Sequence, residues 1–113
     1  MPQKRSDIEA IIYNFADALK QQGLKVDKII LFGSQARGDA RVDSDIDLLV
    51  VSPDFTKMPF HRRFEVLGAA IARVKEPIEP LACIPEEMQV EKLSKASFLY
   101  DVLARQKTVE YQL

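Results

Sequence analysis

The feature that most constrains the fold of this chain is a pair of short apolar runs rich in β-branched residues, Lys28–Phe32 and 45–51. Each has the length and composition of a buried strand. The first ends at Gly33 and the second at Ser52-Pro53, so both enter turns. Strands this short cannot bury themselves, and the flanking segments supply what covers them. Residues 7–21 carry Ile8, Ile11, Ile12, Phe15 and Leu19 at helical spacing, behind a capping box of Ser6 and Glu9 and ahead of a stop at Gly23. Pro59 opens a second helix on which Phe60, Phe64, Leu67, Ile71 and Val74 mark the predicted apolar face.

Residues 77–84 read as a third strand in which Pro80 cannot donate to a ladder, which directs it to a sheet edge or a bulge. Pro85-Glu86-Glu87 starts a short helix, and Phe98, Leu99, Val102 and Leu103 mark another. Residues 108–111 alternate like a brief last strand. The order is helix, strand, polar turn, strand, helix, strand, two short helices, strand. It predicts an α+β fold with a small mixed sheet and helices packed mainly on one face.

At 113 residues and 47% hydrophobic, the chain has the size of one domain spanning 1–113. A second independent core would leave each half too small to fold alone. Sixteen Lys and Arg against seventeen Asp and Glu leave a net charge of −1, which argues against stable bulk binding of nucleic acid. The single cysteine, Cys83, excludes an internal disulfide and a thiolate zinc site, and its place in an apolar run makes it a core residue. No apolar stretch approaches the roughly 18 to 20 residues needed to span a bilayer, and no signal-peptide core is visible. The expected location is the cytoplasm.

The chemistry concentrates between the first two strands. Asp45 and Asp47 stand two residues apart, a spacing that puts both on one side of a strand about 7 Å apart. Two like charges aimed at one spot are unfavourable unless cations lie between them. Hard divalent ions such as Mg²⁺ suit a carboxylate pair that leaves positions for substrate phosphates. Gly33 allows backbone N–H groups to approach a phosphate, Ser34 adds a hydroxyl, and Arg37 adds a cation one turn on. Each piece alone is weak, and the combination carries the reading.

With Gly33-Ser34, a gap of ten residues and Asp45-x-Asp47, the string GSQARGDARVDSDIDLLVV resembles the signature of the DNA polymerase beta-type nucleotidyltransferase superfamily. More narrowly it resembles the minimal nucleotidyltransferases that accompany HEPN-domain partners in toxin–antitoxin pairs. The resemblance implies a polymerase beta palm-like fold and a single minimal nucleotidyltransferase domain. It implies triphosphate binding at Gly33, Ser34 and Arg37, and two Mg²⁺ ions held by Asp45 and Asp47. It also implies a third acidic residue on a later strand, for which Glu79 is the best match. The reaction implied is transfer of AMP from ATP to an acceptor hydroxyl, with pyrophosphate leaving.

A chain this short is consumed by the catalytic core, so the acceptor site must belong to or be shared with another chain. A HEPN-domain protein is the expected acceptor and partner. Two rivals stay open: a non-catalytic antitoxin or binding module acting by contact, and a small-molecule transferase of the aminoglycoside type that needs a homodimer to build its acceptor pocket. His61, beside Arg62 and Arg63, has no metal set or catalytic triad near it in sequence, and this basic cluster near a helix start reads as solvated surface. Asp39 and Asp43 read as turn residues, although either is close enough in sequence to touch the nucleotide.

Overall fold

The first helix, α1 (Arg5–Lys20), seats Ile8, Ile12, Phe15 and Leu19 in the core. The protein is described by a computed structural model over residues 5–41 and 44–113. The Ser6 side chain, and with it the expected capping box, lies outside the described residues, as does Asp43. The turn after α1 closes with Gly23 at φ +88°, a left-handed conformation that glycine adopts without steric cost.

Strand β1 (Lys28–Phe32) is the antiparallel partner of both β2 (Ile46–Val51) and β4 (Val109–Gln112). Strand β3 (Ile78–Cys83) runs parallel to β2 on its outer side, so the described sheet has the order β3-β2-β1-β4. Pro80 thus falls on an edge strand, where its missing N–H costs no ladder bond inside the sheet. The second strand is one residue shorter than expected. Asp45 stands just outside it, because the ladder begins where the Ile46 N–H donates to the Pro77 carbonyl at 2.8 Å.

Alternation along the strands divides the core in two. Ile29, Leu31, Ile46, Leu48 and Val50 face α1 and the long helix α3 (Phe60–Val74). Ile30, Phe32, Leu49, Val51 and Cys83 face the opposite way, under Val102, Leu99 and Leu103 of the C-terminal segment. That segment begins as one turn of α-helix, α4 (Phe98–Tyr100), and widens to a π-helical turn over Asp101–Arg105. The two long helices share one face, and this short segment, with Met88, covers part of the other.

The apolar face of α3 differs from its sequence pattern. Val66, Leu67 and Ala70 are the buried residues, whereas Phe60 is 74% and Phe64 72% exposed. The stripe begins a turn before the helix reaches the sheet, so its first two aromatic residues overhang the β3 edge. Arg63 anchors this overhang. Its guanidinium donates to the Phe55 and Met58 carbonyls and lies 5.0 Å from the Phe60 ring centroid. It is therefore a structural clamp, in contrast to the solvated surface expected of that cluster, while His61 and Arg62 are exposed. Cys83 is buried, which pushes its thiol up to about 12 and keeps it inert at neutral pH.

Candidate active site

Strand β1 ends at Phe32, and the chain turns at once into the five-residue helix α2 (Gly33–Arg37), closed by Gly38 at φ +86°. Gly33 has φ +73°, and a Cβ built on it would overlap the Asp47 carboxylate, with Cγ of Asp47 only 3.1 Å away. Glycine is required here twice over, by backbone conformation and by the closeness of the carboxylate. The expected requirement for a bare backbone at this turn therefore has a second cause beyond phosphate access.

Register explains why the carboxylate is there. Asp47 pairs with Phe32 on one side and with Glu79 on the other. Residues in register on neighbouring strands point to the same face, about 5 Å apart across the sheet. Asp47 and Glu79 consequently meet at the strand ends, on the face that the C-terminal segment covers only in part. Their carboxylates lie close enough for each to disfavour ionisation of the other. Burial and the negative charges of Glu79 and Asp45 raise the Asp47 pKa from 3.8 to about 6, against a smaller lowering by Arg37.

A cleft of about 680 Å³ opens at this point, and Gly33, Ser34, Arg37, Asp47 and Glu79 all line it. The sequence pattern names five wall residues that come from three separate elements. Asp45 does not line the cleft wall. It is exposed one residue before β2, yet close enough for its charge to act on Asp47. Among the described residues no group of three or more His, Cys, Asp or Glu side chains is gathered into a ready metal cage. Asp39 is also outside the wall, in a surface ion pair with Arg37 at 3.3 Å.

The opposite wall was not legible in the motif. Phe98 packs edge-on against Phe32, with ring centroids 5.9 Å apart, and is 57% exposed toward the cleft. Gln106 closes the π-helical turn, donates its side-chain N–H to Asp101 at 2.8 Å, and leaves a buried Oε1 without a hydrogen-bond partner. The one available signal was Ser97, whose hydroxyl accepts from the Tyr100 N–H and so fixes where Phe98 begins the helix.

A flat aromatic wall, a glycine-backbone turn with a hydroxyl and a guanidinium, and a closely placed carboxylate pair define a cleft suited to a nucleotide and to phosphoryl chemistry. Residues 12–113 match the sequence profile of the nucleotidyltransferase domain, and the chain belongs to that family.

Over 44 residues the chain is 52% identical to a Methanocaldococcus jannaschii protein named "Putative protein adenylyltransferase MJ0604". That match covers 38% of this chain and 44% of the relative, less than half of its length. A crystal structure of "a putative nucleotidyltransferase from Sulfolobus solfataricus" superposes with a TM-score of 0.50 at 25% identity, covering 77% of this chain and 81% of that one. A toxin–antitoxin crystal structure with AMP-PNP also superposes with a TM-score of 0.50, at 20% identity and covering 74% of this chain and 60% of that one. The fold is shared with both. No described helix is long and apolar enough to cross a membrane.

Proposed function

We propose that this chain transfers AMP from ATP to a hydroxyl group on a protein partner, a HEPN-domain protein. The observation that carries the reading is the contact geometry at Gly33, where the phosphate-binding turn and the Asp47–Glu79 pair form one continuous surface. Support for a protein acceptor comes from the name of the archaeal relative, and support for a toxin–antitoxin setting from the AMP-PNP-bound neighbour.

The residues present fit divalent metal ions. The donors are hard carboxylate oxygens, and burial together with the nearby Glu79 and Asp45 charges raises the Asp47 pKa, a cost that a bound cation would relieve. Asp45, Asp47 and Glu79 would hold two Mg²⁺ ions. When bound, these would lower the pKa of the attacking hydroxyl and neutralise charge on the leaving phosphates.

The chain's own groups divide the work. The Gly33 backbone and Ser34 hold the β- and γ-phosphates, and Arg37 offsets their charge. The acceptor oxygen attacks the α-phosphorus and forms the new P–O bond. The bond from that phosphorus to the oxygen bridging the β-phosphate breaks, and pyrophosphate leaves with the electron pair. The acceptor proton passes to the Glu79 carboxylate, which lies beside the cleft mouth. Phe98 offers an apolar face against which the nucleobase packs.

Incubation of the protein with ATP labelled at the α-phosphate, Mg²⁺ and the protein encoded by the neighbouring gene tests the proposal. Label on that protein, together with a mass increase of one AMP, is the expected result. Transfer of label to neither protein, with ATP still bound, would favour a partner blocked by contact alone.

A further inference from the structure

Gln106 lines the active cleft together with Phe98, and its amide is held in one orientation. The amide nitrogen donates to one Asp101 carboxylate oxygen at 2.8 Å, a bond that only an N–H can make, so nitrogen and oxygen cannot exchange places. Asp101 is held in turn by Arg105, whose guanidinium lies 3.7 Å from the other carboxylate oxygen. The π-helical turn makes this contact possible. In a regular α-helix, residues five apart are rotated about 140° from each other and cannot meet. Here the Gln106 backbone N–H donates to the Asp101 carbonyl at 3.2 Å, five residues back, which brings the two side chains to one side.

This arrangement leaves the amide oxygen over. Oε1 is buried and accepts no hydrogen bond among the described residues. An acceptor that has lost water and gained no donor is unfavourable, and in a folded chain such a group ordinarily has a partner. The place of Gln106 in the cleft wall, beside an aromatic face that suits a base, points to a donor on the nucleotide.

We infer that Gln106 selects the nucleobase, its Oε1 accepting a hydrogen bond from the exocyclic amine of adenine. The inference rests on the nucleotide-binding reading given above. A fixed acceptor discriminates by the sign of what it meets. The 6-amino group of adenine offers N–H donors, whereas the 6-oxo group of guanine or hypoxanthine offers a second acceptor. Cytosine shares the amine but presents one ring instead of two to Phe98. Phe98 supports any base, because every base has a flat face, and Gln106 makes the choice among them. Since Oε1 is covered, the side chains over it shift when the base enters, a rotamer-scale adjustment that binding commonly brings.

Calorimetric titration with Mg²⁺ and no acceptor protein tests the assignment. It compares ATP with the triphosphate of purine riboside, which lacks only the amine, and with inosine triphosphate, which carries oxygen in its place. The parent should bind ATP about tenfold more tightly than the purine riboside nucleotide, as one added hydrogen bond allows, and inosine triphosphate no better than the latter. Gln106→Met keeps the side-chain length and removes the acceptor. It should bind all three alike, with ATP falling to the affinity of the purine riboside nucleotide.

Equal affinity of the parent for ATP and the purine riboside nucleotide overturns the inference, and that comparison needs no variant. A preference for ATP that survives in Gln106→Met gives the choice to another residue and overturns it as well. So does a parent that discriminates against 2′-deoxy-ATP alone, because Oε1 would then serve a ribose hydroxyl. None of these three results touches the transfer reading, which is judged by label transfer. A base preference lost in the variant, with no label transferred by the parent, leaves Gln106 as the selector and removes the transferase reading. No binding of ATP by the parent overturns both.

Discussion

Replacing Asp47 by Asn should stabilise the metal-free protein at neutral pH, and the size of the effect follows from the site. The Asp47 pKa rises from 3.8 to about 6, first through burial and then through Glu79 and Asp45. Between these values the folded state binds more protons than the unfolded chain, so stability falls as pH rises across that interval. Above it the full cost of the ionised carboxylate is present, and below about pH 4 it has gone. A shift of about two units corresponds to roughly 3 kcal/mol as an upper limit. The carboxylate is partly open to solvent, and screening brings the expected gain down to about 1 kcal/mol. For a domain of this size that is a rise in melting temperature of about 4 °C.

Thermal unfolding of parent and Asp47→Asn in a chelating buffer, at pH 8 and again at pH 4, measures this directly. The variant should be the more stable at pH 8, and the difference should shrink toward zero at pH 4. Adding Mg²⁺ at pH 8 should raise the parent and do less for the variant, because the ion binds the folded parent alone. A variant less stable than the parent at pH 8, or a difference that does not change with pH, would refute the reasoning. Asp47 would then be a structural hydrogen-bond partner, and the case for a cation between the carboxylates would fail.

Four further outcomes are expected. Asp45→Asn and Asp47→Asn should each abolish label transfer without loss of fold, as read by label incorporation beside a melting curve. Gly33→Val should cost about 1–3 kcal/mol of stability, because it strains a left-handed backbone and strikes the Asp47 carboxylate, and calorimetry should find no ATP binding. Ser34→Ala should keep the fold and weaken ATP binding by about 1.5–3 kcal/mol, the usual worth of one hydrogen bond to a charged group. Glu79→Gln should leave an equilibrium ATP titration nearly unchanged while single-turnover transfer falls by orders of magnitude; equal rates would remove Glu79 from the chemistry.

How far the sequence reaches is clearest where local and non-local determinants part. The Gly33 turn, the place of Asp47 on the second strand and the edge position of Pro80 depend on backbone chemistry within a few residues, and these were legible. The expected pairing of Asp45 with Asp47 on one strand face was not found, since Asp45 stands before the strand and off the cleft wall. That Asp47 lies opposite Glu79 depends on parallel register between strands that are separated by the whole of α3. Only the assumption of a third acid on a later strand anticipated it. The Phe98 wall was out of reach for the same reason, since its contact with Phe32 joins residues from opposite ends of the chain.

The overhang of α3 is the instructive failure. Periodicity reports which residues share a face, and Phe60, Phe64, Leu67 and Ile71 do share one. It does not report where along the helix the sheet begins. Here the sheet edge arrives near Leu67, so the same stripe is core at one end and open at the other. Had burial alone shaped this helix, its first turn would carry polar residues, as exposed first turns ordinarily do. Two phenylalanines there, with Arg63 clamped beneath one of them, are therefore not accounted for by burial within the described chain.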